Sequence, residues 1–198
     1  MSLLVLWRHG QTAWNAARLV QGHFDVELSE AGLAQVAAAA PKLAALRPDL
    51  IVSSDLRRSA GTAAALAAIT GLAVSVDPRL RERCYGEWQG HSLAEIEARW
   101  PVEYARWRTG QAVGGAGVED VDDVAKRVGA ALLDAAERAP GGTVVVATHG
   151  GAARRGCAQL LGWPEPVTRT IRVLANCHWT ELTFEAVRGW QLRAHNLG

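Results

Sequence analysis

Apolar and polar positions follow two different periods along this chain. Near its start, Leu3-Leu4-Val5-Leu6-Trp7 is an unbroken apolar run that stops at Arg8-His9-Gly10. Val144-Val145-Val146-Ala147 runs in the same way into Thr148-His149-Gly150-Gly151. Short apolar runs ended by glycine read as buried strands. Leu50–Ser53, Ala73–Val76 and the strand Thr143–Thr148 complete that set. Between them the period lengthens to that of a helix. Ser29-Glu30 supplies an N-cap pair for a helix over Glu30–Leu46, with Pro41 as a candidate kink. Leu56–Ile69 and Gly151–Leu161 also read as helices. Val118–Arg138 is the clearest, with Val121, Val124, Val128, Ala131, Leu132 and Ala135 on one face.

Weaker patterns fill the gaps. Thr12–Ala17 fits one helical turn. Ser92–Trp107 is helical with a break at Trp100-Pro101, and Thr109–Gly117 is a glycine-rich loop. Thr180–Glu185 and Trp190–Ala194 alternate as a closing hairpin around Arg188-Gly189. Strand–helix alternation predicts an α/β protein: a three-layer α/β/α sandwich on a mainly parallel sheet, with an antiparallel edge strand near the C-terminus. No repeat or linker divides the chain. Residues 1–198 are therefore expected to form one domain, with a small lid over about 91–117.

Composition narrows the function. The formal net charge is +1, which gives no electrostatic case for nucleic acid or an anionic membrane as partner. No apolar run reaches membrane-spanning length, and Arg8 interrupts the first one as no secretory leader would allow. Cys84, Cys157 and Cys177 lie far apart, are odd in number and form no zinc pattern. They are expected to be reduced thiols in a cytoplasmic protein.

Four segments carry chemistry. Arg8-His9-Gly10 ends a buried strand with two polar groups, where an exposed strand end is the plain alternative. Thr12 and Asn15 follow it, and both types also serve as local caps. Ser53-Ser54-Asp55-Leu56-Arg57-Arg58 lies where a strand turns into a helix. Backbone N–H groups and a guanidinium there suit an oxyanion, although two adjacent arginines cannot point the same way. Arg79-Leu80-Arg81-Glu82-Arg83 reads either as a surface ion-pair cluster or as a general acid beside a phosphate site. His149-Gly150-Gly151 puts a second histidine at a strand end, and its glycines permit close approach of a ligand. In open α/β sheets ligands bind beyond the carboxyl ends of the strands.

Taken in order, these segments resemble the histidine phosphatase superfamily, in its phosphoglycerate mutase-like branch. The resemblance runs through Leu6-Trp7-Arg8-His9-Gly10-Gln11-Thr12-Ala13-Trp14-Asn15, Gln21-Gly22 and Leu28-Ser29-Glu30-Ala31-Gly32. It continues through Ser53–Arg58, Leu80-Arg81-Glu82, Gly86-Glu87-Trp88-Gln89-Gly90, Thr148-His149-Gly150-Gly151, Asn176 and Thr180-Glu181-Leu182. It implies His9 as nucleophile and Glu82 as proton donor. Arg8, Arg58 and His149 would form the phosphate pocket, with Asn15, Gln21, Gly22 and Gly150 binding phosphate or substrate. It implies no metal and no cofactor. One departure is Gly114-Gly115-Ala116-Gly117-Val118-Glu119, where many relatives carry Gly-Gly-Glu-Ser.

The implied activity is hydrolysis of a phosphorylated small metabolite through a phosphohistidine, as a phosphoric monoester hydrolase. The alternatives are phosphoryl transfer of the mutase type and a catalytically idle binding relative. Glycolytic mutases carry a longer basic insertion. Here the stretch His91–Gly117 holds Trp100, Tyr104, Trp107, Arg106 and Arg108, which fits a partly apolar lid better than a second phosphate clamp. Packing of those aromatics onto the body is the competing reading. A homodimer is left open.

Overall fold

The computed structural model describes residues 2–198. In chain order it contains β1 (Ser2–Arg8), α1 (Ala13–Ala16), α2 (Glu30–Ala44), β2 (Leu50–Ser53), α3 (Arg57–Thr70) and β3 (Val74–Val76). Next come α4 (Leu93–Arg99), α5 (Pro101–Thr109), α6 (Val121–Glu137), β4 (Thr143–Thr148), α7 (Gly150–Leu161), α8 (Glu165–Thr168), β5 (Trp179–Glu185) and β6 (Gly189–Leu197). The sheet order is β3-β2-β4-β1-β5-β6. The first four of these strands are mutually parallel; β5 is antiparallel to β1, and β6 is antiparallel to β5.

Alternation within the strands builds the layers. Leu4, Leu6, Val144 and Val146 face one side, where they pack on Val124, Val128 and Leu132 of α6 and Ala152 and Ala153 of α7. Val5, Trp7, Val145 and Ala147 face the other, against Val36, Ala40 and Leu43 of α2 and Ala63 and Leu66 of α3. Strands buried on both faces read as continuous apolar runs, which is why β1 and β4 were legible. This is the expected three-layer sandwich on a mainly parallel sheet.

The helix over Glu30–Leu46 ends two residues early, at Ala44, and Arg47 takes a left-handed conformation before Pro48. It runs through Pro41. Pro41 and Ala37 are both exposed, so the carbonyl that proline leaves without an N–H partner meets water. The longest helix starts at Val121 rather than Val118, because the Asp120 side chain caps it through the Asp122 N–H. The turn α8 was not foreseen. Two short 3-10 turns, Pro78–Leu80 and Gly86–Trp88, fall at the start of and within the irregular stretch 79–90.

Registration of β1 on β4 sets Arg8 opposite Thr148. The His9 N–H donates to the Thr148 carbonyl at 3.0 Å, so His9 and His149 leave neighbouring strand ends together. The loop after β1 is clamped by α2. The Ser29 side chain caps α2 through the Gly32 N–H, and a Cβ at Gly32 would run into the Gln11 carbonyl. Residues 91–117 contain α4 and α5. Trp88, Ile96, Tyr104 and Val113 form a separate buried cluster, with Trp100 and Trp107 packed against it.

Candidate active site

His9 and His149 meet edge to face, with ring centroids 5.2 Å apart, and both are buried. His9 Nδ1 lies 2.7 Å from the Gly10 carbonyl. That bond fixes the ring proton on Nδ1 and leaves the Nε2 lone pair free. The backbone carbonyl of His9 is itself held by the Asn176 side-chain amide at 3.0 Å and by the Cys177 N–H at 3.3 Å. Ser54 stands 3.0 Å from His149 Nε2 and takes the Leu56 N–H at 3.4 Å. The Ser54 hydroxyl can donate to Nε2, and in that arrangement the ring proton of His149 sits on Nδ1. That Nδ1 is buried and has no partner.

Arg8 donates from Nη1 to the Leu174 carbonyl, and its Nε is buried and unpartnered. Arg58 is 1% exposed and donates to the Phe24 and Gly22 carbonyls, each at 2.7 Å. Its Nε is likewise buried without an acceptor. Buried donors are rarely left unpaired, and each one costs about 1–3 kcal/mol. Three such donors around one histidine mark a place for an acceptor-rich group. Burial pushes the Arg58 guanidinium down to about 10, offset by the Glu82 and Asp25 carboxylates. The two imidazoles are held well below the usual histidine value, first by burial and then by nearby cations, Arg58 foremost. Both rings are therefore neutral at pH 7.

The cleft over these groups, about 170 Å³, is bordered by Arg8, His9, Asn15, Gln21, Gly22, Arg58 and Glu82. Asn15 Oδ1 accepts from the Thr12 N–H and from Asn176, which turns its –NH2 outward as a donor. Gln21 Oε1 accepts from the Thr12 hydroxyl, with the same consequence. Gly150 does not border that cleft, and His149, fully buried, adjoins it through the His9 ring. His149 packs edge to face on His9, and a Cβ at Gly150 would stand 2.4 Å from Val173 Cγ1. Gly150 thus leaves room for the Val173 side chain; the structure gives it no place on the cleft wall.

The two arginines of Ser53–Arg58 separate cleanly. Arg58 enters the cleft, while Arg57 is exposed and pairs with Glu27. The start of α3 is not free for a ligand, because the Arg57 N–H is taken by Asp25 at 2.7 Å. The start of α7 is filled too. Glu82 accepts from the Gly151 N–H at 2.8 Å, the Ala152 N–H at 2.9 Å and the Arg83 N–H at 2.8 Å. Three of its four lone-pair directions are used, and one remains for the cleft. Its arginine neighbours turn elsewhere: Arg79 to Asp77 and Asp134, Arg81 to Asp55. Glu87, the next carboxylate along this segment and the other candidate for the acid, is exposed.

Three positions escaped sequence reasoning. Arg127 donates to the Arg79, Arg81 and Glu82 carbonyls and to Glu119, and so fixes the loop that carries Glu82. Glu119 also accepts from the Cys84 N–H, so the departing Gly114–Glu119 stretch braces that same loop. Gln89 accepts from the His23 N–H at 2.7 Å and ties the Gln21-Gly22 loop to the Glu82 segment. Each lies far in sequence from what it holds. The Arg127–Glu119 spacing of eight residues was the one available signal.

Among the described residues no cluster of histidine, cysteine, aspartate or glutamate could hold a metal, and no helix is long and apolar enough to cross a membrane. The family model of the histidine phosphatase superfamily (branch 1) matches residues 4–198. The chain is 41% identical to the glucosyl-3-phosphoglycerate phosphatase of Mycobacterium tuberculosis, over 98% of this chain and 93% of that one. It is 31% identical to a probable phosphoglycerate mutase of Yersinia pestis, over 98% and 92%. The solved structure of mycobacterial glucosyl-3-phosphoglycerate phosphatase with VO3 superposes at a TM-score of 0.90, with 37% identity and 99% of both chains covered. Its family model and these relatives span nearly its whole length: the chain belongs to the histidine phosphatase superfamily, branch 1.

Proposed function

We propose that this protein hydrolyses phosphate monoesters of small metabolites through a phosphohistidine formed on His9. The observation that carries this reading is the ring of buried, unpartnered donors, Arg8 Nε, Arg58 Nε and His149 Nδ1, set around a neutral histidine with a free Nε2. His9 Nε2 attacks phosphorus in line and the P–O bond to the alcohol breaks. The two guanidiniums and His149 hold charge on the three equatorial oxygens, a task that magnesium performs in kinases. Glu82 gives its proton to the departing oxygen. The resulting carboxylate takes a proton from water as that water attacks the phosphohistidine, which releases phosphate and restores His9. The roles of Asn15 and Gln21 are to donate to phosphate or substrate, and Gly22 positions Arg58 through its carbonyl.

The substrate is a phosphorylated small molecule, and the phosphatase relatives make a phosphoglycerate-type ester the first to try. Residues 91–117 act as a lid over the cleft within a single domain. The three cysteines are free, and burial pushes the Cys157 and Cys177 thiols up to about 12, which suits inert thiols in a cytoplasmic enzyme. Release of inorganic phosphate from p-nitrophenyl phosphate, with and without EDTA, is the test. Turnover unchanged by EDTA is expected. Activity lost on chelation and restored by a divalent ion would overturn the metal-free mechanism.

A further inference from the structure

We infer that His23 is a positioning residue for the proton donor: its ring ties Glu82 to the turn that holds Arg58, and so sets the acid against the phosphate pocket. This rests on the phosphatase reading above. No motif of the sequence singles His23 out, and it does not border the cleft, so it acts through the groups it holds.

His23 sits in a tight turn, Gln21–Phe24, closed by the Phe24 N–H on the Gln21 carbonyl at 2.9 Å. Gly22 has φ +53°, and a Cβ there would run into Gln89 Oε1, so only glycine suits the position. The carbonyls on either side of His23, those of Gly22 and Phe24, each take an Arg58 Nη at 2.7 Å. The Phe24 ring packs on Trp14 of α1, with centroids 5.0 Å apart, which anchors the turn from outside. Main chain on both sides of His23 is thus committed to Arg58.

The His23 ring reaches the other way. Its Nε2 lies 2.7 Å from the Glu82 carbonyl, and its backbone N–H donates to Gln89 Oε1 at 2.7 Å. A carbonyl only accepts, so the ring proton of His23 is on Nε2. Burial holds the ring below the usual histidine value, and the neutral ring donates this bond. Among the described residues, two hydrogen bonds join the turn to the segment Glu82–Gln89, and both start on His23. Only the ring bond lands on Glu82 itself. The other holds on Glu82 come from elsewhere: α7 through the Gly151 and Ala152 N–H groups, and α6 through Arg127 on the same carbonyl at 2.9 Å. Neither α6 nor α7 carries Arg58, which stands at the start of α3. In-line transfer needs Arg58 on the phosphoryl oxygens and Glu82 on the departing oxygen at the same moment, and an error of about 1 Å can cost about 10²-fold. The His23 ring bridges the two.

Three variants test this role. His23→Gln carries an amide N–H at about the reach of Nε2. His23→Asn is polar but too short, and His23→Leu has no donor. We expect Asn and Leu to lower kcat/KM for an alkyl phosphate such as 3-phosphoglycerate by roughly 10-fold, the scale of one hydrogen bond. For p-nitrophenyl phosphate the loss should stay under about threefold, because its leaving group needs little protonation. Gln should restore most of the alkyl-ester activity. Vanadate inhibition should stay within about twofold of wild type, since main-chain carbonyls, not the ring, hold Arg58. In a Glu82→Gln background His23→Asn should cost nothing further. Equal loss on both esters, equal behaviour of Gln and Asn, or the same loss in the Glu82→Gln background would overturn the role and leave the phosphatase reading standing. Weakened vanadate inhibition would move the effect of the ring to Arg58 and also overturn it. Failure of both Asn and Leu to fold, with Gln folded, would make the bond structural and overturn the role as well. If wild type turns over only the aryl ester, Glu82 is not a working acid and the role fails with it. If wild type turns over no ester, the phosphatase reading itself fails.

Discussion

A Cβ placed on Gly151 would stand 2.5 Å from Glu82 Oε1. No side chain fits there while Glu82 stays docked on the Gly151 and Ala152 N–H groups. Gly151→Ala should therefore leave the helix intact but push Glu82 off its seat. The obstacle is a carboxylate oxygen held by three backbone donors, so moving it is not cheap. We expect hydrolysis of an alkyl phosphate to fall by about 10²-fold or more, within the range for loss of a general acid. p-Nitrophenyl phosphate, whose leaving group needs little protonation, should lose much less. Equal loss on both esters would mean that the alanine damages the phosphate pocket rather than the acid.

Arg58 and Arg57 are neighbours with opposite fates, and a pair of variants exploits that. Arg57 and its partner Glu27 are 59% and 62% exposed, so Arg57→Met should change stability by about 0–1 kcal/mol and leave turnover near wild type. Arg58→Met removes one of three donors aimed at the phosphoryl oxygens. It should cost about 10²–10³-fold in kcat. Vanadate should raise the melting temperature of wild type and of Arg57→Met but hardly move Arg58→Met. The reverse order in the melting curves would overturn the assignment of Arg58 to the pocket.

Much of this was readable in the chain because β1 and β4 are buried on both faces. Their apolar runs announced them, and Arg8-His9 and His149 followed at their ends. Arg58 was readable only through its place in Ser53–Arg58, since nothing local distinguishes it from Arg57. The fillings of the two helix starts by Asp25 and Glu82 were not readable. They depend on which loop crosses which helix end, a property of the folded chain. The same holds for Arg127, which braces the Glu82 loop from a helix more than forty residues away.

The neutral histidines make stability depend on pH with a definite sign. Folded His9 and His149 titrate well below the unfolded value, mainly through burial and then through Arg58. Half-buried His23 is lowered as well, chiefly by burial. Below about pH 6.5 the unfolded chain therefore binds more protons than the folded one. Stability is complete above that pH and declines as pH falls through it, by at most about 1.4 kcal/mol per unit for each histidine. Asp55 and Asp77, lowered by hydrogen bonds from Arg81 and Arg79, add to the loss only near and below about pH 4. The melting temperature of the ligand-free protein should fall by several degrees from pH 7 to pH 5, and less in His149→Gln. Identical slopes in the two proteins would show that His149 is not held neutral.

The division of labour between His9, Glu82 and Glu87 gives the sharpest separation of roles. His9 forms the covalent bond, so His9→Ala should abolish both turnover and the labelled phosphoenzyme trapped on rapid quenching. Glu82→Gln keeps the pocket of Arg8, Arg58 and His149, and its amide oxygen can still accept two of the three backbone N–H bonds, but it cannot give up a proton to the leaving oxygen. It should slow alkyl-ester hydrolysis by roughly 10²–10⁴-fold. With p-nitrophenyl phosphate, where departure is easy and attack of water on the phosphohistidine still needs a base, Glu82→Gln should accumulate phosphoenzyme. Glu87 is exposed and lies off the cleft, so Glu87→Gln should match wild type on both esters within about twofold, the neutral outcome usual for surface positions. Quench trapping on both esters with all three variants reads these roles at once. Selective loss of alkyl-ester activity in Glu87→Gln, with Glu82→Gln unaffected, would move the acid to Glu87 and leave His9 as nucleophile.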